Sequence, residues 1–249
     1  MKSLKNFINE SIYIGELKYK FTKDTIKSKD GHTLYRIQAT KDFGDVKEGD
    51  FGGYIESEEN LIRNSGDCWV YDDAMVWGKA KVSGGAKVRD EAMVSGNAII
   101  RDYAEIYDDA QVYDKVEIKD DAKVYGSAKV YGSVQIRGKA QVYDSAEVYG
   151  NVEISDNVKV YGKAKVYDSA EVTNDAQIYG NAKVYGESYI YDGAEICDNA
   201  KVYGKSRIGH IMGYNVKICG NSTICDASVN IEEVKDKKVT KNSEGYYEH

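Results

Sequence analysis

Three histidines, His32, His210 and His249, are the side chains of this 249-residue sequence suited to taking a proton from an alcohol or amine near neutral pH. His249 is the last residue and His32 falls in a Lys-Asp-Gly-His turn, which leaves His210 as the candidate general base. A corner histidine beside a loop is more often structural or solvent-exposed, and that reading stands next to the catalytic one. The four cysteines, Cys68, Cys197, Cys219 and Cys225, form no CxxC pair, so no metal site and no redox pair is expected and the thiols should be free. Gly52 and Gly53 lack the GxGxxG or GKS/T context of a phosphate loop and read as a tight turn.

The elements that must position these groups are set by an internal period. Val or Ile occupies position 70 and every sixth position through 208, giving 24 uninterrupted hexads. Two residues earlier in each hexad stands Ala, Ser, Cys or Val, and two residues later stands Gly, Asp or Asn, with His210 the exception. Residues i and i+2 of a strand share a face, so Ala122 and Val124 point inward together while Lys123 points out. Gly, Asp and Asn tolerate a positive φ, so each hexad is one short strand and one corner. Strands this short bury a face only when wound into a coil that stacks each on its equivalent in the next turn. The expected fold is therefore an all-β parallel solenoid.

Composition agrees. The chain has 4 leucines against 24 valines, 21 isoleucines and 22 tyrosines, and no proline, which favours strands and turns over long helices. No apolar run approaches a membrane span or a signal-peptide core, so the chain is expected to be soluble, with no membrane partner. A formal net charge of -7 disfavours general binding to a phosphate backbone, so nucleic acid is not an expected partner.

The hexads, as in Val-Tyr-Gly-Ser-Ala-Lys, resemble the bacterial transferase hexapeptide repeat, Ile/Val-Gly-x-x-small-x, of the LpxA-like superfamily. That resemblance covers residues 68 to 208 and implies a left-handed triangular β-helix with three hexads per coil, hence eight or nine coils. With 18 residues per coil, the outward residues sort onto three edges. The first carries Tyr71 and Arg89, then Tyr107, Tyr125, Tyr143, Tyr161, Tyr179 and Cys197. On the second, Trp77 and Ser95 precede Tyr113, Tyr131, Tyr149, Tyr167, Tyr185 and Tyr203. The third is polar or basic, with Ser83, Arg101, Lys119, Arg137, Ser155, Thr173, Tyr191 and Gly209. The two tyrosine ladders either brace the solenoid internally or form a docking surface for a second copy, a sugar or planar bases. Residues 210–214 add four to the period, which places Cys197 and Cys219 one coil apart on the first edge if they loop out.

Residues 12–65 lack the hexad and are expected to form a small β cap that closes the first coil, with the solenoid over 66–226 and a charged tail over 227–249. Residues 12–62, together with Gly66 to Ala74 (GDCWVYDDA), resemble the front end of YdcK-like proteins, a group of bacterial and phage β-helix proteins labelled transferases. Residues 1–11 read as a short amphipathic helix or as a leader, since MKSLKNFINES resembles the leader of internal proteins of large contractile-tailed phages, cut after Ile8-Asn9-Glu10.

Two functional classes follow. The near-perfect repetition leaves few local departures for an active site and favours a non-catalytic binding or scaffold solenoid, a phage-encoded accessory or virion-internal protein with no cofactor. Its expected partners are a second copy, as a trimer or dimer, and a host protein, in the host-cell cytoplasm or the virion interior. The hexapeptide resemblance implies the alternative, an acyltransferase using acetyl-CoA with His210 as base, although no long loop interrupts positions 70 to 208. A ligand-sequestering oligomer is the third reading.

Overall fold

A computed structural model describes residues 17–63, 65–209, 215–229 and 232–240. His210 and residues 1–11, on which the candidate base and the leader were placed, lie outside the described residues. The chain is an all-β parallel solenoid, and no helix among the described residues is long and apolar enough to cross a membrane.

Each hexad forms a strand of two to four residues carrying the inward Val or Ile, and these stack on three faces. The first face has ten strands from Trp69–Val70 to Glu233–Lys235, and the third has nine from Lys81–Val82 to Ser228–Val229. The second runs from Met75–Val76 to Lys238–Thr240 and is joined by the cap. Pairing is in register at intervals of 18: Glu105 lies opposite Lys123, which lies opposite Gln141. Inside, Val124, Val142 and Val160 stack with Ala122, Ala140 and Val158 in a column with no exposure to solvent.

The corners explain the choice between Asp and Gly. Every corner residue from Asp72 to Gly204 has a positive φ, between 50° and 91°. Asp tolerates this conformation and adds a bond that Gly lacks. The Asp108 carboxylate accepts from the Gly126 N–H one coil on at 3.0 Å, and Asp120 and Asp144 accept from Gly138 and Gly162 at 2.9 and 3.1 Å. The corner carboxylates thus staple successive coils along the outside of the prism.

Two expectations change at the ends. The solenoid does not stop at Asp226: Ser228–Val229, Glu233–Lys235 and Lys238–Thr240 each pair in parallel with the preceding coil, giving about ten coils. The inward residues there are Ile224, Val229, Val234 and Val239, so the period shortens from six to five and the hexad is no longer visible although the column continues. At the other end, Gly52 and Gly53 form no turn but lie in a strand, Phe51–Ile55. A Cβ on Gly53 would sit 2.4 Å from the Ala74 carbonyl oxygen, so these glycines let the strand press against the first coil.

That strand is the last of three antiparallel cap strands, β1 (Tyr19–Lys27), β2 (Thr33–Ala39) and β3 (Phe51–Ile55). β3 pairs in parallel with Met75–Val76, extending the second face by three strands. Tyr19, Ile37, Ile55 and Leu61 are fully buried and continue the aliphatic column beneath Trp69. Asn60, also fully buried, donates to the Gly78 and Ala80 carbonyls at 3.1 and 2.9 Å, and buried Lys18 donates to the Cys68 carbonyl at 2.8 Å. These side chains satisfy the polar edge of the first coil, which would otherwise be open to pairing with another chain.

Candidate functional site

Both tyrosine ladders are present. On the first edge Tyr107, Tyr125, Tyr143, Tyr161 and Tyr179 stack at centroid spacings of 4.7 to 5.0 Å. On the second, Tyr113, Tyr131, Tyr149, Tyr167, Tyr185 and Tyr203 do the same, also at 4.7 to 5.0 Å. All rings lie within 8° of parallel to their neighbours, because in-register strands repeat one rotamer coil after coil. Arg89 completes the first ladder at its N-terminal end, with its guanidinium 4.6 Å from the Tyr107 centroid and 2.6 Å from Glu105. Each stack ends next to a cysteine, Cys197 one coil beyond Tyr179 and Cys225 opposite Tyr203, and the Tyr179 hydroxyl donates to the Glu195 carboxylate at 3.1 Å.

Mutual burial, reinforced by neighbouring phenols, pushes the pKa of the Tyr143 and Tyr167 hydroxyls up to about 12. The remaining ladder phenols are shifted in the same direction, and for all but Tyr203, where the bond to Cys225 comes first, burial is the main cause. A phenol held protonated in the fold favours the fold fully below its unfolded value of about 10, and that stability is lost as the pH rises towards 12. In an alkaline titration, tyrosinate absorbance from the ladders is expected to lag behind a free-tyrosine curve and to rise together with loss of the strand circular dichroism. Ladder tyrosines ionising near pH 10 with strand signal intact would contradict the packing.

The third edge is less basic than its sequence reads. Arg101 forks onto Glu117 at 3.0 and 2.7 Å and also holds Asp102 at 2.8 Å, while Ser155 and Thr173 share a hydrogen bond of 2.8 Å. Near its end, Gly209 leaves room for the Tyr191 ring, which stacks on Tyr189 at 4.8 Å.

Cys197 and Cys219 face each other across adjacent coils, with their sulfurs and an Asp198 carboxylate oxygen all within 4.8 Å. Glu195 pairs with Lys217, so the first face absorbs the four added residues between these strands without losing register. All four cysteines are free thiols, and burial, followed by the hydrogen bond to Glu233, pushes the pKa of Cys219 up to about 11. A metal ion there would have to compete with protons for sulfur.

The cap assembles a site that sequence reasoning passed over. His32 closes the β1–β2 turn: its backbone N–H donates to the Ser28 hydroxyl at 3.0 Å, and its carbonyl accepts from the Ser28 N–H at 3.0 Å. The turn aims the half-buried ring at Glu56, just past β3, with Nδ1 2.8 Å from Oε1. The other Glu56 oxygen accepts from the Gly78 N–H at 2.8 Å. The bond to His32 is the main reason the Glu56 carboxyl is held below its ordinary range. In a neutral ring, Nδ1–H donation to this carboxylate leaves the lone pair on Nε2, an arrangement suited to accepting a proton. The partner acid stands 24 positions away in a segment without repeats, so spacing alone gave no sign of the pair.

His32 lines a cavity of about 430 Å³ together with Trp77, Ser95, Gln111 and Tyr113, at the start of the second tyrosine ladder. Asp30 accepts from the Trp77 indole N–H at 3.3 Å and fixes that wall. A second cavity of about 470 Å³ adjoins it, sharing Lys29, Met93 and Gln111 and reaching Ile26 and Tyr54.

The family described as YdcK β-solenoid repeat matches residues 176–192. An Escherichia coli (strain K12) protein described as "Uncharacterized acetyltransferase YdcK" is 42% identical over 52 residues, which span 20% of this chain and 16% of that protein. The hexads, the 18-residue coils and the single inward column fit these two short matches, and over the stretches matched the β-solenoid is similar to YdcK.

Proposed function

We propose that the protein is a rigid, non-catalytic solenoid rod that binds and presents, with its small-molecule site at the junction of the cap and the first coils. The supporting observation is the contrast along the rod. From Tyr107 to Cys197 the column, corners and ladders repeat with little local departure, whereas residues from the cap turn and three coils converge on the cavity beside His32. The long parallel Tyr faces suit contact with a second copy, as a dimer or trimer, or with a host protein. A phage-encoded accessory role in the host cytoplasm or the virion interior belongs to the same reading.

The His32–Glu56 pair favours one second reading, acyl transfer from acetyl-CoA to an alcohol or amine with His32 as base. The named acetyltransferase supports it only through a match of 52 residues. A thiol-release assay with acetyl-CoA and mixed alcohol and amine acceptors separates the two. The rod reading expects no release above background from wild type or from His32→Ala. Turnover in wild type that falls at least tenfold in His32→Ala would establish the transferase instead.

A further inference from the structure

The first edge carries tyrosine at every coil from Tyr107 to Tyr179 and then changes to cysteine, at Cys197 and again at Cys219. The change falls where the chain departs from its period: Cys219 follows Cys197 by 22 positions, one coil of 18 residues plus the four added ones. The strands stay in register, with the Cys197 N–H donating to the Ile218 carbonyl at 2.9 Å, so the two thiols stand side by side on neighbouring coils. They are 2% and 4% exposed, and an Asp198 carboxylate oxygen joins the two sulfurs within 4.8 Å. The corner holds that carboxylate in place, since its Oδ2 accepts from the Gly220 N–H at 2.9 Å. From the following coil, Glu233 Oε1 lies 3.5 Å from the Cys219 sulfur.

Two sulfurs placed in this way can pack as small apolar groups, join as a disulfide or share an ion. Strand spacing opposes the disulfide: in-register neighbours keep their Cβ atoms about 4.8 Å apart, whereas a disulfide needs roughly 3.5–4.5 Å. Packing accounts for the burial but not for carboxylates set against the sulfurs. A tetrahedral ion bonded to sulfur at about 2.3 Å and to oxygen at about 2.1 Å holds two sulfurs about 3.8 Å apart and a sulfur about 3.6 Å from an oxygen. The first distance falls inside the 4.8 Å that bounds the pair, and the second nearly equals the contact with Glu233.

We propose that Cys197, Cys219 and Asp198, with Glu233 in the fourth position, bind one thiophilic divalent cation of the zinc class. Each thiol gives up its proton to solvent as its sulfur–metal bond forms, so two protons leave for each ion bound. Lys217, 3.3 Å from Glu195, and Lys235, in register with Cys219, bring positive charge to the same face and offset the excess of anionic ligands. Asp198 is exposed and leaves the ion a way in from solvent. The ion fastens together the coils on either side of the four added residues and the coil after them, at the opposite end of the rod from the cap. It stands whether or not the cavity beside His32 binds a ligand. A search for CxxC passes over such a site because its ligands come from successive coils and not from one loop.

The test is titration of the reduced, untagged protein with zinc chloride, followed by calorimetry, and with cobalt chloride, followed by absorbance. One zinc per chain is expected, with a rise in melting temperature, and the cobalt complex should show the near-ultraviolet charge-transfer band of thiolate ligation. Cys197→Ala and Cys219→Ala should each weaken zinc binding by about tenfold or more. Cys225 also has a carboxylate beside it, Asp226 at 3.3 Å, but stands opposite Tyr203 and not a second sulfur. Cys225→Ala should therefore bind zinc within about threefold of wild type. Where an alanine variant fails to fold, the wild-type cobalt spectrum decides alone. No saturable zinc binding, a cobalt complex without the thiolate band, or unchanged affinity in a folded Cys197→Ala would overturn the proposal.

Discussion

Val142→Asp is expected to unfold the middle of the solenoid. Val142 has no exposure and packs between Val124 and Val160 in a column that offers a carboxylate no polar partner near this coil. The substitution forfeits about 1.5–3 kcal/mol of valine burial and adds the cost of an unpaired buried charge, several kcal/mol more. Each coil touches only its neighbours, so one disrupted coil also uncouples the halves on either side. Circular dichroism should show a reduced strand signal, and urea unfolding should lose its single steep transition. A variant with wild-type strand signal and midpoint would mean that Val142 does not point inward.

Gly53→Ala is expected to undock the cap while leaving the distal coils folded. The added methyl would meet the Ala74 and Tyr71 carbonyl oxygens at 2.4 and 2.8 Å, and neither backbone atom can rotate away. Overpacking of this kind costs about 1–3 kcal/mol. Here it falls on the strand whose Tyr54 and Ile55 pair with Met75 and Val76 and which leads directly into Glu56. The fluorescence of Trp69 and Trp77, both at the cap junction, should change at lower urea than the strand signal. The cavity beside His32 should open with it, since Lys29 and His32 ride on the cap hairpin. Coincident transitions at the wild-type midpoint would contradict the tight approach of β3.

Much of this architecture could be read from the sequence because one physical rule repeats. A small residue and a β-branched residue two apart, followed by a residue tolerant of positive φ, gave Ala122, Val124 and Gly126 their places without any contact information. Once the family resemblance supplied three hexads per coil, the same periodicity placed both tyrosine ladders and brought Cys197 over Cys219. Where the rule bends, legibility fails. The last coils kept their inward residues Val229, Val234 and Val239 at a spacing of five, which a search by sixes does not register. Gly52 and Gly53 looked like a turn because their reason for being glycine is a long-range contact with Val70, Tyr71 and Ala74. His32 looked like an ordinary turn residue because Glu56 reaches it only through the pairing of β1, β2 and β3.

The most direct test of the inward column is a crystal structure of the protein. The account predicts Val124, Val142 and Val160 stacked inside three parallel sheets, with Tyr125, Tyr143 and Tyr161 stacked outside them. Helices or a sandwich across residues 105–172 would contradict it.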